Sequence, residues 1–463
     1  MRGQTRSRSP RFPTVLRPGG AIFRDVVDRP PPPGPRGLPV LGCALDFRRD
    51  PLGFFTLLAR RWGDVAGFRL GVLRCCLVNR PDLIEDVLVE RDPDVLKPWD
   101  ERQLGVALGQ GLLTGSGERW RRQRRLVEPA FRGERLREYA EAMERIAGET
   151  ADRWWPGAEI DVHAEVQRIT LAIVAETMFG ADLAPRAEEA ARAFGVLTDR
   201  FERLLTGWLP IPLSARTPGN ARLHQAVGRL HAIAEKMVEA RRRAAGGDDL
   251  LSVLVRTRDG PGRGIEDLEL REIVITLLAA GHETTALAIA WALHLVALHP
   301  EVDDRLAEEA RWASGAASAG RLPVARGVVR EALRLYPPAW GIGRETTRAI
   351  DLDGHRIGPG TQIYVVPWVT HRDPRWFPEP ERFDPGRWAE GAPAESARAW
   401  IPFGAGPRGC VGSGFAMIEA PLVLSTLVRR WRFVPVPTHP IELQPAITLR
   451  PRHGIRMRVE PRG

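Results

Sequence analysis

The sequence predicts a mainly α-helical protein that carries small β-sheets near its two ends. Long amphipathic runs dominate residues 83–338, with apolar side chains recurring at three- and four-residue spacing. Short alternating runs bounded by glycine and proline flank them, at residues 65–79 and again beyond Arg344. No internal repeat and no interdomain linker breaks the chain, so residues 31–463 read as a single domain preceded by a flexible basic arm over residues 1–30.

The elements follow in order. Residues 29–42, RPPPPGPRGLPVLG, are proline-rich and should run extended over the surface. Residues 65–79 should form a hairpin with Gly71 near its turn. Helices are expected over 134–155, 169–179 and 223–245, with a proline-rich apolar loop at 207–220. An apolar helix should start at the acidic residues 266–269 and stop before Pro300, about 34 residues or roughly 50 Å long. Past Arg344 an Asp-Gly turn joins two alternating runs. An irregular meander covers 371–388, a helix follows Cys410, and short strands close the chain.

The net charge is +9, almost all of the positive charge being arginine, with only Lys97 and Lys236 as lysines. Over this length the excess is mild and reads as a coding bias rather than a nucleic-acid site; the RSRSPR start has no aromatic interleaving. The four cysteines form neither a disulfide framework nor a metal spacing, which points to a reducing, cytoplasmic setting. Cys75 and Cys76 fit a strand interior as packing residues. The N-terminus lacks the apolar core of a signal peptide. The apolar helix has the length of a membrane span, but His282, Glu283, Thr284 and Thr285 near its middle argue for the core of a soluble protein.

Chemistry concentrates in FGAGPRGCVG, residues 403–412. Cys410 lies just before a helix, where the dipole and free backbone N–H groups favour the thiolate. Gly404, Gly406, Gly409 and Gly412 allow tight turns and close approach to a flat ligand. Arg408 would pair with a carboxylate. A thiolate on such a loop suits heme, with sulfur on iron and arginine on a propionate. In the apolar helix, Gly281, Glu283 and Thr284 are poor packing choices. They suit an oxygen pocket, in which Gly281 leaves room, Thr284 hydrogen-bonds dioxygen and Glu283 relays protons. His282 is expected to make a polar contact or reach solvent rather than to bind iron.

The loop resembles the heme signature of the cytochrome P450 family, F-x-x-G-x-R-x-C-x-G, filled by Phe403, Gly406, Arg408, Cys410 and Gly412. Residues 280–284 are similar to the family's A/G-G-x-D/E-T pattern. The resemblance implies further roles. Glu331 and Arg334, three apart on a helix face, would join Arg382 of the meander in a structural lock. Trp120, Arg124 and Arg344 would contact the propionates; Arg121, Arg122 and Arg125 read most simply as a solvated face, the alternative being a docking surface for an acidic ferredoxin. It further implies heme b, dioxygen, and two electrons from an external ferredoxin and an NAD(P)H-dependent ferredoxin reductase, with no fused reductase and a monomeric protein. Apolar, bulky segments at 99–113, 200–213, 337–342 and 445–449 imply a lipophilic substrate. The wording RLYPPAW is similar to that of terpene and fatty-acid hydroxylases, which puts a terpenoid first, a fatty acid second and a steroid third. Two competing readings are a peroxide-using variant and a heme-thiolate sensor or electron carrier without substrate; the Glu283–Thr284 pair argues against both.

Overall fold

The computed structural model describes residues 29–462, apart from 133–134, 181–186, 207–211, 245, 258–264, 313–320 and 390–393. The expected basic arm lies almost wholly outside the described residues, as does part of the loop at 207–220.

The longer helices are α1 (Pro51–Trp62), α2 (Trp99–Leu108), α3 (Gly117–Val127), α4 (Arg135–Ala151), α5 (Val162–Phe179), α6 (Ala187–Thr206), α7 (Pro218–Arg243), α8 (Asp267–Ala297), α9 (Pro300–Trp312), α10 (Pro323–Leu335) and α11 (Ser413–Arg430). Their ends follow local chemistry. Asp161 caps α5 by accepting from the His163 and Ala164 N–H groups at 3.1 and 3.4 Å, and left-handed Gly180 stops it. Asp267 and Glu269 occupy the first turn of α8, as its acidic start predicts.

The first sheet has strand order β1-β2-β8-β5-β3, from β1 (Val65–Leu70), β2 (Leu73–Val78), β3 (Val95–Leu96), β5 (Ile342–Thr346) and β8 (Gln362–Val365). β1 and β2 form the expected hairpin, and β2 runs parallel to β8. β6 (Ile350–Leu352) and β7 (His355–Ile357) pair across Asp353 and Gly354, both at positive φ as the Asp-Gly turn requires. β4 (Glu159–Asp161), β9 (Trp431–Pro435) and β12 (Arg456–Pro461) make a second sheet, which places the start of α5 beside the C-terminus. β10 (Leu443–Pro445) and β11 (Leu449–Pro451) form a last hairpin. The proline-rich segment lies along β1, where the Gly67 N–H donates to the Pro33 carbonyl.

The helical core gathers around α8, which packs along α5 and is also contacted by α10, α11 and α7. By length and composition α8 could cross a membrane, but 72% of its most apolar window is buried inside the protein. Cys75 and Cys76 are packing residues, buried in β2, and burial pushes the Cys75 thiol up to about 12.

Candidate active site

A cavity of about 1030 Å³ opens between α8 and the loop before α11. Its walls are mainly apolar. The four segments expected to face a substrate contribute, among others, Leu104, Phe201, Leu204, Ala339 and Ile447.

Cys410 is exposed on the cavity wall. Its N–H donates to the Phe403 carbonyl at 2.8 Å, closing the glycine-rich loop. Gly404 and Gly406 hold φ of 68° and 71°, a region that favours glycine. Gly404 lines the cavity, whereas a Cβ at Gly406 would meet the Leu88 carbonyl oxygen at 2.2 Å. At Gly406 the close approach is therefore protein on protein. The Cys410 thiol opens onto the cavity but is otherwise enclosed by protein; that desolvation raises its pKa, and the Gly412 N–H and the Arg124 guanidinium lower it, as a position before a helix predicts.

The arginines expected at the cofactor edge converge on the same cavity. Arg124 Nη1 donates to the Gly409 carbonyl at 2.7 Å. Arg408 stacks 4.4 Å over the Trp120 ring and donates to the Gly115 carbonyl. Trp120 Nε1 is held by the Leu112 carbonyl at 3.1 Å. Arg344 is buried, bonded through Nη1 to the Gly343 carbonyl, and its buried Nε has no partner. Of the carboxylates on the wall, Glu101 is taken by Lys97 at 2.6 Å, and burial raises Asp100 to about 6. Arg408 Nε has a carboxylate neighbour in Asp92 at 3.6 Å, whereas the buried Arg344 Nε has no hydrogen-bond partner. A cysteine on one wall, three guanidiniums and one orphaned N–H together suit a flat dianionic cofactor with a metal at its centre.

On the opposite wall α8 presents Ala280, Gly281, Thr284 and Thr285. Thr284 Oγ1 donates to the Ala280 carbonyl at 2.7 Å. Gly281 serves helix packing as well as the cavity, since a Cβ there would come within 3.0 Å of Val174 Cγ2 on α5. Glu283 does not line the cavity. Its carboxylate faces α5, where Gln167 Nε2 donates to it and His163 Nε2 lies 3.9 Å away. His282 does not reach solvent: it is 3% exposed, bonded through Nδ1 to the Leu278 carbonyl and set against Phe194.

Glu331 and Arg334 are fully buried and joined at 2.8 and 2.9 Å. All five N–H groups of Arg334 are used: two by Glu331 and three by the carbonyls of His371, Pro380 and Arg382. The assignment of Arg382 as the third side chain is corrected. Its guanidinium turns outward to Glu379, and only its carbonyl joins the lock. Arg387, one turn of meander later, reaches Glu331 Oε1 at 3.4 Å, and Trp388 Nε1 donates to Oε2 at 2.9 Å. His371 carries the lock to the cysteine loop, its Nε2 accepting from the Ile401 N–H at 2.9 Å. Burial drives its pKa down to about 3 and keeps the ring neutral.

Residues not singled out in the sequence include Arg387, Trp388, His371, His163, Gln167 and Glu419. Glu419 on α11 is fully buried with neither carboxyl oxygen hydrogen-bonded; burial pushes its pKa well above the usual carboxylate range, and nearby Thr285 opposes this. An acid inside an apolar helical run was the signal for it.

A family model described as Cytochrome P450 matches residues 32–457. Cyclooctatin synthase of Streptomyces melanosporofaciens is 38% identical over 98% of this chain and 99% of its own length. Pentalenene oxygenase of Streptomyces avermitilis is 34% identical over 92% of this chain and 97% of its own. The retinoic acid bound cyanobacterial CYP120A1 structure superposes with a TM-score of 0.82 at 26% identity, covering 94% of this chain and all of that one.

Proposed function

This chain belongs to the cytochrome P450 family and is a monooxygenase, and from that premise we propose that it hydroxylates a C–H bond of a terpenoid. The family implies heme iron, dioxygen, redox partners and a lipophilic substrate. The observation that carries the terpenoid reading is the mainly apolar cavity of about 1030 Å³ bounded by Cys410 and Thr284. That volume would be shared by the heme and the substrate, so the apolar lining contributed by Leu104, Phe201, Leu204, Ala339 and Ile447 is what suits a hydrocarbon skeleton. Relatives named for cyclooctatin and pentalenene, both terpenoid-modifying, support the same class.

Heme b, when bound, supplies the iron at which dioxygen is activated and from which one oxygen atom reaches the substrate. Cys410 would hold that iron as its thiolate, a form that the Gly412 N–H and the Arg124 guanidinium favour. Arg124, Arg344 and Arg408 would hold the cofactor's carboxylates, the free Arg344 Nε among the donors, and Trp120, whose one N–H goes to the Leu112 carbonyl, would support them through its stack with Arg408. Phe403 and Gly404 shape the wall beside the sulfur, and Gly281 lets α8 lie close to α5. Thr284 would turn its hydroxyl from the Ala280 carbonyl into the cavity, and Glu283 would deliver protons toward it. The apolar side chains exclude water around the reacting C–H bond. Glu331, Arg334 and Arg387 hold the loop in place. We assign the two electrons to a ferredoxin and its NAD(P)H-dependent reductase, the setting to the cytoplasm, and the working unit to a monomer built on residues 31–463.

A titration of the ferric protein with a polycyclic terpene, a long-chain fatty acid and a steroid, read by the spin-state change of the heme, tests the substrate class. The terpene is expected to bind most tightly. Tighter binding of the fatty acid or steroid would move the assignment to that class, and silence of all three would favour a sensor or electron carrier.

A further inference from the structure

The Glu283 carboxylate turns its back on the cavity, and what it faces on α5 is unusual. Gln167 and His163 stand four residues apart, so both side chains leave the same helix face toward it. Gln167 fixes Oε2. The other oxygen, Oε1, is buried without a hydrogen bond, and so is His163 Nε2, 3.9 Å from it. Two buried polar atoms of opposite character face each other across a gap about 1 Å too long for a hydrogen bond. Closing it would satisfy both. The imidazole sits in the first turn of α5, and 12% of its side chain is open to solvent.

We propose that His163 is the group through which Glu283 exchanges its proton with solvent. This rests on the reading of Glu283 as the proton carrier for Thr284. As the gap closes, the Nε2–H bond of the imidazolium breaks and an O–H bond forms at Oε1. The ring is left neutral and the carboxyl protonated. A turn of the ring about its Cβ–Cγ bond then presents the bare nitrogen to water, which returns the proton. Glu283 swings from α5 toward Thr284, gives up its proton there, and returns as carboxylate.

The surroundings suit a ring that changes charge. From α8 it faces Glu283 and His282, from the end of β4 Asp161, and from β11 Arg450. The two carboxylates favour the imidazolium; burial, Arg450 and His282 oppose it, and burial prevails so that the ring pKa lies below its ordinary value. Arg450 is itself tied to Asp199 at 2.7 Å, which blunts its effect on the ring.

A purely structural pair would only tie α5 to α8, and three variants separate the possibilities. His163→Gln keeps a hydrogen-bond donor for Oε1 but cannot titrate. With heme content and melting temperature checked first, product formed per electron consumed is measured against pH in wild type, His163→Gln and Glu283→Gln, each in H2O and D2O. The expected result is that coupled turnover of the wild type falls as pH rises through the ring's titration. That limb should disappear in His163→Gln, with turnover lower by roughly ten-fold and a larger solvent isotope effect. Wild-type behaviour of His163→Gln beside an impaired Glu283→Gln overturns the role of His163 alone. Wild-type behaviour of Glu283→Gln overturns the reading of Glu283, and the relay with it.

A second readout needs no turnover. The His163 ring is followed by NMR through a pH titration of the reduced carbon monoxide complex, with His163→Gln assigning its signal. Glu283→Gln should move the titration to lower pH, because it removes a neighbouring negative charge. A ring that titrates at the same pH in both proteins shows that the two groups do not communicate and overturns the proposal.

Discussion

The two walls of the cavity are built on opposite principles. Behind the cysteine loop, Glu331 and Arg334 are fully buried, all five arginine N–H groups are bonded, and Arg387, Trp388 and His371 extend the network to Ile401. Across the cavity, Glu283 Oε1 and His163 Nε2 are buried and unmatched, and the Thr284 hydroxyl rests on its own helix. A saturated network has one arrangement and resists change; an unsatisfied one has somewhere to go. The first suits a wall that must hold a metal ligand still, and the second a wall that must move protons.

The contrast can be broken most forcefully at the lock. Arg334→Ala leaves Glu331 as a buried carboxylate without its main partner and should cost about 3 to 5 kcal/mol in urea denaturation, with loss of heme from the purified protein. Arg387→Ala removes one longer contact and should cost about 1 to 3 kcal/mol. Arg382→Ala should leave stability unchanged, since its side chain faces solvent and Glu379. A larger loss at Arg382 than at Arg387 would reverse the assignment of the third partner.

Acid should act next. The His371 pKa is about 3 and that of His294 about 4 in the folded protein, both lowered by burial. An unfolded histidine titrates near pH 6.5, so the unfolded chain takes up these protons first as pH falls. Stability is therefore fully present above about pH 6.5 and is lost below it, by up to about 1.4 kcal/mol per pH unit for each ring, down to its folded pKa. Urea midpoints measured from pH 7.5 to 5 should fall accordingly; midpoints that stay flat would contradict two rings held neutral by the fold, His371 fully buried and His294 of α8 partly so.

On the opposite wall stability should change little. Thr284→Val removes a hydroxyl bonded only to its own helix and should alter stability by less than about 1 kcal/mol. Product per electron consumed should nevertheless drop, with peroxide released instead. Tight coupling in that variant would leave the threonine without a role in proton delivery.

What was legible in the sequence divides along physical lines. Local patterns carried well: the β1–β2 hairpin, the Asp-Gly turn, the acidic start of α8 and the glycine loop before α11 depend on near neighbours. Glu331 and Arg334 share a helix turn, so their spacing placed them. Arg387 was missed because the meander has no periodicity, and nothing local distinguishes its arginine from Arg382. The meeting of His163 with Glu283 depends on how α5 crosses α8, a contact between residues over a hundred positions apart. At Cys410 the helix end is visible in the sequence, whereas the desolvation that opposes it comes from segments far apart in the chain. For His282 the sequence left a polar contact and solvent exposure open; the structure has the polar contact, to the Leu278 carbonyl, because the helix crossing buries the ring against Phe194.

The most direct test is the absorption spectrum of the reduced protein under carbon monoxide, recorded for wild type and for Cys410→Ala. A thiolate ligand from Cys410 gives the wild type a strongly red-shifted Soret band, which Cys410→Ala should lack. A wild-type band at the position typical of a histidine-ligated heme, or a red-shifted band that survives in Cys410→Ala, would contradict the assignment of Cys410 as the iron ligand.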